Sequence, residues 1–248
     1  MIKISAVSYL NTLPFAYGIE QSEYIKTNSI ISRDIPSECA RKLLAGEVDL
    51  GLVPVAILPQ LKESHIISDY CIGAINKVHS VNLYSHYPID EVTKIKLDYQ
   101  SRTSVNLCKV LCKNHWHVAP RFEQATEGYE NNINSQEAAI IIGDRTFNLV
   151  DSYPYVYDLS EEWYKMTGLP FVFAAWVANK EIPADYIAEF NAACSNGIDH
   201  IDEAIEFGNI DIINKSAQKS YLTESISYTF DEEKRKGLNL FLKFLAEL

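Results

Sequence analysis

The chain has 248 residues, 47% apolar and 22% charged, the balance of a globular protein with length for one large core or two smaller ones. A formal net charge of −11 argues against a nucleic-acid partner, whose phosphates need a basic face. No apolar run reaches the roughly 18 residues of a membrane span, so no membrane partner is expected.

Met1 to Val7 lacks the basic, long apolar and small-residue regions of an export signal, so the chain is expected to start directly with its fold. Ile2, Ile4 and Ala6 alternate with Lys3 and Ser5, predicting a strand, and Tyr9 to Phe15 then breaks the alternation with Asn, Thr and Pro. Ser29 to Ile35 reads as a second strand. A helix starts at Pro36-Ser37-Glu38, turns Ala40, Leu43 and Leu44 inward and stops at Gly46. Val48, Leu50 and Leu52 form a third strand ending at Pro54, and this strand, helix, strand order predicts a parallel sheet.

A β-rich stretch from Ile72 to Tyr84 leads to Ser85-His86-Tyr87-Pro88, where a new unit begins. Lys94 to Tyr99 reads as a strand, Thr103 to Asn114 as a helix, Ala138 to Ile142 as a buried strand and Glu161 to Thr167 as a short helix before Gly168. After the apolar run Phe171 to Ala178 the rest reads as helices: Ala184 to Phe207, Asp211 to Tyr221 and Asp231 to Leu248. The expected organisation is α/β in two lobes, residues 1–84 with 177–248 and residues 85–176, crossed by hinging strands with the C-terminal helices on the first lobe. That layout resembles the type II periplasmic-binding-protein-like fold, which places a ligand cleft between the lobes.

Charge is unevenly spread. Lys94 to Arg121 holds six basic residues against one acid, Asp98, whereas Glu181 to Asp211 holds eight acids and no Lys or Arg. Inside the basic block, Ser101-Arg102-Thr103-Ser104 stands where a strand ends and a helix begins. Free N–H groups, three hydroxyls and Arg102 there make a candidate site for a carboxylate or phosphate. The competing use of these residues is capping the helix. Asn11 and Thr12 follow the first strand at its carboxyl end, where open α/β sheets bind ligands, though Asn and Thr before Pro14 are also ordinary turn residues. His79-Ser80 lies in the crossing segment, and period-2 geometry sends only alternate residues of Val78 to Asn82 toward a cleft. Gly143-Asp144-Arg145-Thr146 is a turn whose N–H groups could approach a ligand, with a structural ion pair at Asp144 as the alternative.

Cys112, His115 and His117 cluster without the second ligand pair a zinc site wants, so no metal is expected. Cys108 and Cys112, one helical turn apart, read as buried helix positions. The five cysteines are odd in number and scattered, which predicts reduced thiols and a cytoplasmic setting. Gly-x-Ser-x-Gly, Walker and Gly-x-Gly-x-x-Gly motifs are missing, and no cofactor is expected.

Read together, Val7-Ser-Tyr-Leu-Asn-Thr-Leu-Pro-Phe15, Gly46-Glu-Val-Asp-Leu-Gly-Leu-Val-Pro-Val55, Leu97-Asp-Tyr-Gln-Ser-Arg-Thr-Ser-Val105, Ile142-Gly-Asp-Arg-Thr146 and Leu159 to Ala178 resemble the chorismate dehydratase family of the futalosine route to menaquinone. The blocks are in the family's order and span most of residues 1–178. The related 1,4-dihydroxy-6-naphthoate synthase carries a Ser-Pro-Cys-Pro-Asn-like first loop where this chain has Ser-Tyr-Leu-Asn-Thr. The resemblance implies a lyase that dehydrates chorismate, a small dicarboxylate, without a cofactor. It implies catalytic contacts from Asn11 to the reacting ring or leaving hydroxyl and from Ser80 to a substrate carboxylate. Ser101, Thr103 and Ser104 would hold a carboxylate at the helix start, with Arg102, Thr12, Gly143 and Asp144 as further substrate contacts. The alternative from another class is a non-catalytic binding protein for a small anion.

Overall fold

The computed structural model describes residues 1–248 except 132, 135, 150 and 151. Strand β1 (Ile2–Val7) runs into a 3-10 turn (Leu10–Thr12) and helix α1 (Leu13–Gln21), followed by α2 (Glu23–Asn28), β2 (Ser29–Asp34), α3 (Pro36–Leu44) and β3 (Leu50–Pro54). Strand β4 (His65–Ala74) leads across to β5 (Val81–Ser85), β6 (Lys94–Leu97), α4 (Thr103–Asn114), β7 (Arg121–Gln124), β8 (Glu137–Ile142), β9 (Tyr155–Asp158) and α5 (Leu159–Thr167). The chain returns through β10 (Phe171–Ala178) to α6 (Ala184–Asp199), α7 (Ile201–Gly208), α8 (Lys215–Ser220), β11 (Ser227–Thr229) and α9 (Glu232–Ala246).

These elements form two sheets. The first has the order β11-β4-β10-β3-β1-β2 and the second β7-β6-β8-β5-β9. Strand β1 is parallel to both β2 and β3, the product of the expected crossover, while β10 closes antiparallel between β3 and β4. In the second sheet β6 is parallel to β7 and β8, and β5 is antiparallel to β8 and β9. Every residue of β3 is buried, as are all of β8 after Glu137, which is why both read as apolar runs without alternation.

Sheet membership moves the expected lobe boundaries. Residues 81–84 belong to the second sheet through β5, and residues 171–176 belong to the first through β10. The crossings therefore lie at residues 75–80 and 159–170, earlier than Tyr84 and Trp176. Strands β5 and β10, which follow the two crossings, are buried on both faces apart from the half-buried Ala174, so no periodicity marks where one sheet gives way to the other. The predicted helix Ala184 to Phe207 is two helices, broken at His200 (φ −121°, ψ 50°), and the helix expected over Asp211 to Tyr221 is confined to α8.

The C-terminal helices do not all stay on the first lobe. Helix α1 crosses α6 so closely that a Cβ on Gly197 would lie 1.7 Å from the Pro14 carbonyl oxygen, which fixes glycine at that contact. Helix α9 instead packs against both lobes. Phe241 meets Trp163 of α5 and Phe171 of β10 edge-on, at 6.2 and 5.1 Å between centroids, and Lys113 of α4 donates to the Glu247 carbonyl at 2.6 Å. All five cysteines are buried and free. No helix among the described residues is long and apolar enough to cross a membrane.

Candidate functional site

The carboxyl ends of β1 and β3, the start of α3 and strands β4 and β10 face the second sheet across a cavity of about 60 Å³. Its polar lining comes from Tyr9, Asn11 and Thr12 on one lobe, Ser101, Thr103 and Ser104 on the other, and Ser80 on the connecting segment. Among the described residues the lining contains no Asp, Glu, Lys, Arg or His. Whatever binds here meets neutral donors and helix ends.

Helix α4 supplies the densest group. Ser101 lies just before it, accepts from the Ser104 N–H at 3.0 Å and donates to the Ser104 hydroxyl at 2.9 Å. It therefore caps the helix, as the sequence alternative had it, but capping uses only this one oxygen. The Ser104 hydroxyl, having accepted, keeps its own proton to donate. Thr103 accepts the Ala56 N–H of the first lobe at 3.3 Å, which leaves its hydroxyl proton free as well. All three hydroxyl residues are buried at the positive end of a twelve-residue helix, an arrangement that stabilises a carboxylate without a formal counter-charge.

Arg102 sits between them but outside the lining, half-buried, and its side chain makes no hydrogen bond or ion pair among the described residues. Other residues of the basic block are engaged away from the cleft. Lys94 and Lys96 pair with Glu137, at 2.5 and 3.0 Å, and Lys109 lies over the Phe122 ring. The local positive charge seen in the sequence is thus a property of the outer surface rather than of the cavity.

On the opposite wall, Thr12 closes its own turn by donating to the Val7 and Tyr9 carbonyls at 2.7 and 2.8 Å, which projects Asn11 inward. The Tyr228 hydroxyl donates to the Asn11 carbonyl at 3.0 Å. Asn11 Oδ1 is buried with no partner, a state that costs about 1–3 kcal/mol and that native structures keep only for a reason. Ser80 is buried too, its Oγ 2.6 Å from the Tyr221 hydroxyl, while His79 at φ 63° turns outward. Both N–H groups of Val78 and His79 donate to Asp158, which also caps α5, so the crossing segment is held in one phase.

Several contacts hold the lobes together around this cavity. Tyr9 donates to Gln100 and lies over Gly143 at φ +65°, where an added Cβ would sit 3.0 Å from the ring. Asp144 accepts the Leu10 N–H through both oxygens, at 3.2 and 3.3 Å, and burial pushes its carboxyl up to about 6. The ion pair anticipated for this turn belongs to its neighbour, since Arg145 binds the buried Asp98, which also accepts from Tyr129 at 2.7 Å. Asn11, Thr12, Ser80, Ser101, Thr103, Ser104 and Gly143 therefore share one cavity, while Arg102 and Asp144 flank it. Sequence reading missed Tyr9, Tyr221 and Tyr228. The last two lie 210 and 217 positions from Asn11, and no local pattern announces them.

Against known proteins, the chain is 28% identical over 233 residues to the chorismate dehydratase of Thermus thermophilus, covering 86% of this chain and 85% of the relative. It is 26% identical over 172 residues to that of Campylobacter jejuni, covering 68% and 63%. Among solved structures, protein AF1704 of Archaeoglobus fulgidus superposes with a TM-score of 0.75 at 15% identity, covering 99% of this chain and 96% of that one. The periplasmic aliphatic sulphonate binding protein SsuA of Escherichia coli gives 0.62 at 13% identity, covering 99% and 86%. The fold is thus the two-lobed periplasmic-binding-protein fold. The profile of a family described as menaquinone biosynthesis matches residues 2–247, and the chain belongs to that family.

Proposed function

We propose that this protein is a cytoplasmic hydro-lyase that converts chorismate to 3-[(1-carboxyvinyl)oxy]benzoate and water. The observation that carries the reading is the pairing of Asn11, with its orphaned buried acceptor, against the hydroxyls of Thr103 and Ser104 at the start of α4. The similarity to relatives named chorismate dehydratase supports chorismate as the substrate.

The reaction removes the proton at C3 of the ring and hydroxide from C4. The C3–H electrons become the third ring double bond, and the departing hydroxide and the proton form water. Because the C3 position is conjugated to the ring carboxylate, negative charge developing at C3 spreads onto that carboxylate. Hydrogen bonds from Thr103 and Ser104, aligned with the α4 dipole, grow stronger as this happens, so they favour the transition state over the ground state. Asn11 Oδ1 accepts from the C4 hydroxyl and orients the leaving group, and Ser80 meets the enolpyruvyl carboxylate. That carboxylate is the base in this account, which suits a cavity without a Glu or His in its lining. Closure of the lobes around a molecule held at both ends provides orientation, the larger part of the task when aromatisation supplies the driving force.

The test is to incubate purified protein with chorismate and follow the aromatic enol ether by absorbance and NMR. Saturable binding without product would support a binding protein instead.

A further inference from the structure

We infer that Tyr9 is a positioning residue that latches the first lobe to the second and, through the turn that follows it, sets where Asn11 stands against the hydroxyls at the start of α4. The inference rests on the function proposed above, in which Asn11 and that helix start act on one molecule.

Tyr9 follows β1 and lines the cavity, but its side chain finishes on the other lobe. Its hydroxyl donates to Gln100 Oε1, and its ring covers Gly143, with ring carbons 3.0 and 3.2 Å from where a Cβ would be. These two partners follow neighbouring parallel strands of the second sheet, β6 and β8, whose pairing ends at Lys96 and Ala139. Past that point one buried carboxylate joins them. Asp98 accepts the Gln100 N–H at 2.7 Å and the N–H of Ile142, just before Gly143, at 3.2 Å. Tyr9 therefore docks on a cradle whose two sides are tied together. Gln100 uses its Nε2 on the Tyr99 hydroxyl at 3.0 Å, which leaves Oε1 for Tyr9. Burial holds the Tyr9 phenol above its ordinary range, and Asp98 adds to this, so the hydroxyl keeps its proton to donate.

What Tyr9 docks, Asn11 follows. Thr12 Oγ1 accepts the Tyr9 N–H at 3.3 Å, and the Thr12 N–H returns to the Tyr9 carbonyl at 3.0 Å, so residues 9–12 move as one piece. Within that piece the Leu10 N–H is itself held by Asp144 of the second lobe. Asn11 thus rides on a turn that grips the opposite lobe through both Tyr9 and Leu10. Parting of the lobes to admit a substrate releases these grips, and their return brings Asn11 back to one place opposite Thr103 and Ser104.

Tyr9→Phe keeps the ring over Gly143 and deletes the bond to Gln100. The expected result is a kcat lower by about 10-fold, with KM within about threefold and a melting temperature within a few degrees of wild type. Gln100→Met should give the same loss, and joining the two substitutions should add less than about twofold, since both break one bond. Wild-type kcat in Tyr9→Phe, or losses that multiply in the double variant, would overturn the inference. Hydrogen exchange followed by NMR gives a readout that does not depend on the reaction. The Leu10 amide should exchange at least ~10-fold faster in Tyr9→Phe while the amides of β3, in the middle of the first sheet, keep their protection. Equal Leu10 exchange in the two proteins, or β3 amides that lose protection to the same degree, would also overturn it. Absence of aromatic product from the wild-type protein would defeat the proposed function instead, and the Leu10 exchange would still decide whether Tyr9 latches the lobes.

Discussion

Replacing Asp144 by asparagine keeps an oxygen within reach of the Leu10 N–H and removes the charge. In the native protein this carboxyl is raised from 3.8 to about 6, chiefly because closure of the lobes buries it, with the Leu10 hydrogen bonds opposing. Between those two values the native state binds more protons than the unfolded state, so stability falls as pH rises. The gap between 3.8 and about 6, at ~1.36 kcal/mol per pH unit, makes ionised Asp144 cost about 3 kcal/mol, fully felt above pH ~7. The amide of the Asp144→Asn variant does not titrate. Urea unfolding followed by the fluorescence of the buried Trp163 and Trp176 should therefore show the variant gaining on wild type by about 2 kcal/mol between pH 4 and 7.5. A difference that stays constant with pH would mean that Asp144 is solvated, and the cross-lobe contact with Leu10 would have to be abandoned.

Other substitutions probe the cavity and its frame. Asn11→Ala should cut kcat by about 10²- to 10³-fold while shifting the melting temperature little, and wild-type turnover would remove Asn11 from the chemistry. Thr103→Val leaves the Ala56 N–H without its acceptor and deletes a donor to the substrate, so chorismate affinity measured by calorimetry should fall about tenfold or more; unchanged affinity would count against the helix-start site. Gly143→Ala places a methyl 3.0 Å from the Tyr9 ring at positive φ, and should lower both kcat/KM and stability, by about 1–2 kcal/mol in the latter. Gly197→Ala drives a methyl into the Pro14 carbonyl at the α1–α6 crossing, and soluble expression with a normal melting temperature would contradict that packing.

Much of this architecture was written in short-range patterns. Thr103–Asn114 and Phe171–Ala178 fall where amphipathic spacing and a bounded apolar run put them, and the first crossover could be read from its strands and the Pro36 helix start. Of helix α1 only the start was legible, because Pro14 is at home in a helix's first turn while the polar residues before it read as a loop. Strands β7 and β9 are short, exposed edges with little burial to impose a period. The break at His200 uses no Gly or Pro, so nothing local announces it.

The site divides along the same line. Residues at element ends, Asn11, Ser80 and Ser101 to Ser104, were legible because strand ends and helix starts are where backbone groups are free. The reach of a side chain was not. Arg102 looked like the anion's counter-charge by its neighbours in sequence, yet it lies outside the lining while Thr103 next to it faces in. Tyr221 beside Ser80 and Tyr228 beside the Asn11 backbone depend on how the C-terminal segment folds back, which is a property of tertiary packing alone.

The central claim is a dehydration carried out between Asn11 and the start of α4. Its most direct test is the ¹H NMR time course of chorismate with the wild-type protein beside Asn11→Ala. The account predicts that wild type replaces the ring diene signals with those of a meta-substituted benzoate while the enolpyruvyl methylene survives, and that the variant does so at least ~100-fold more slowly. Chorismate unchanged by the wild-type protein, or consumed equally fast by both, would contradict it.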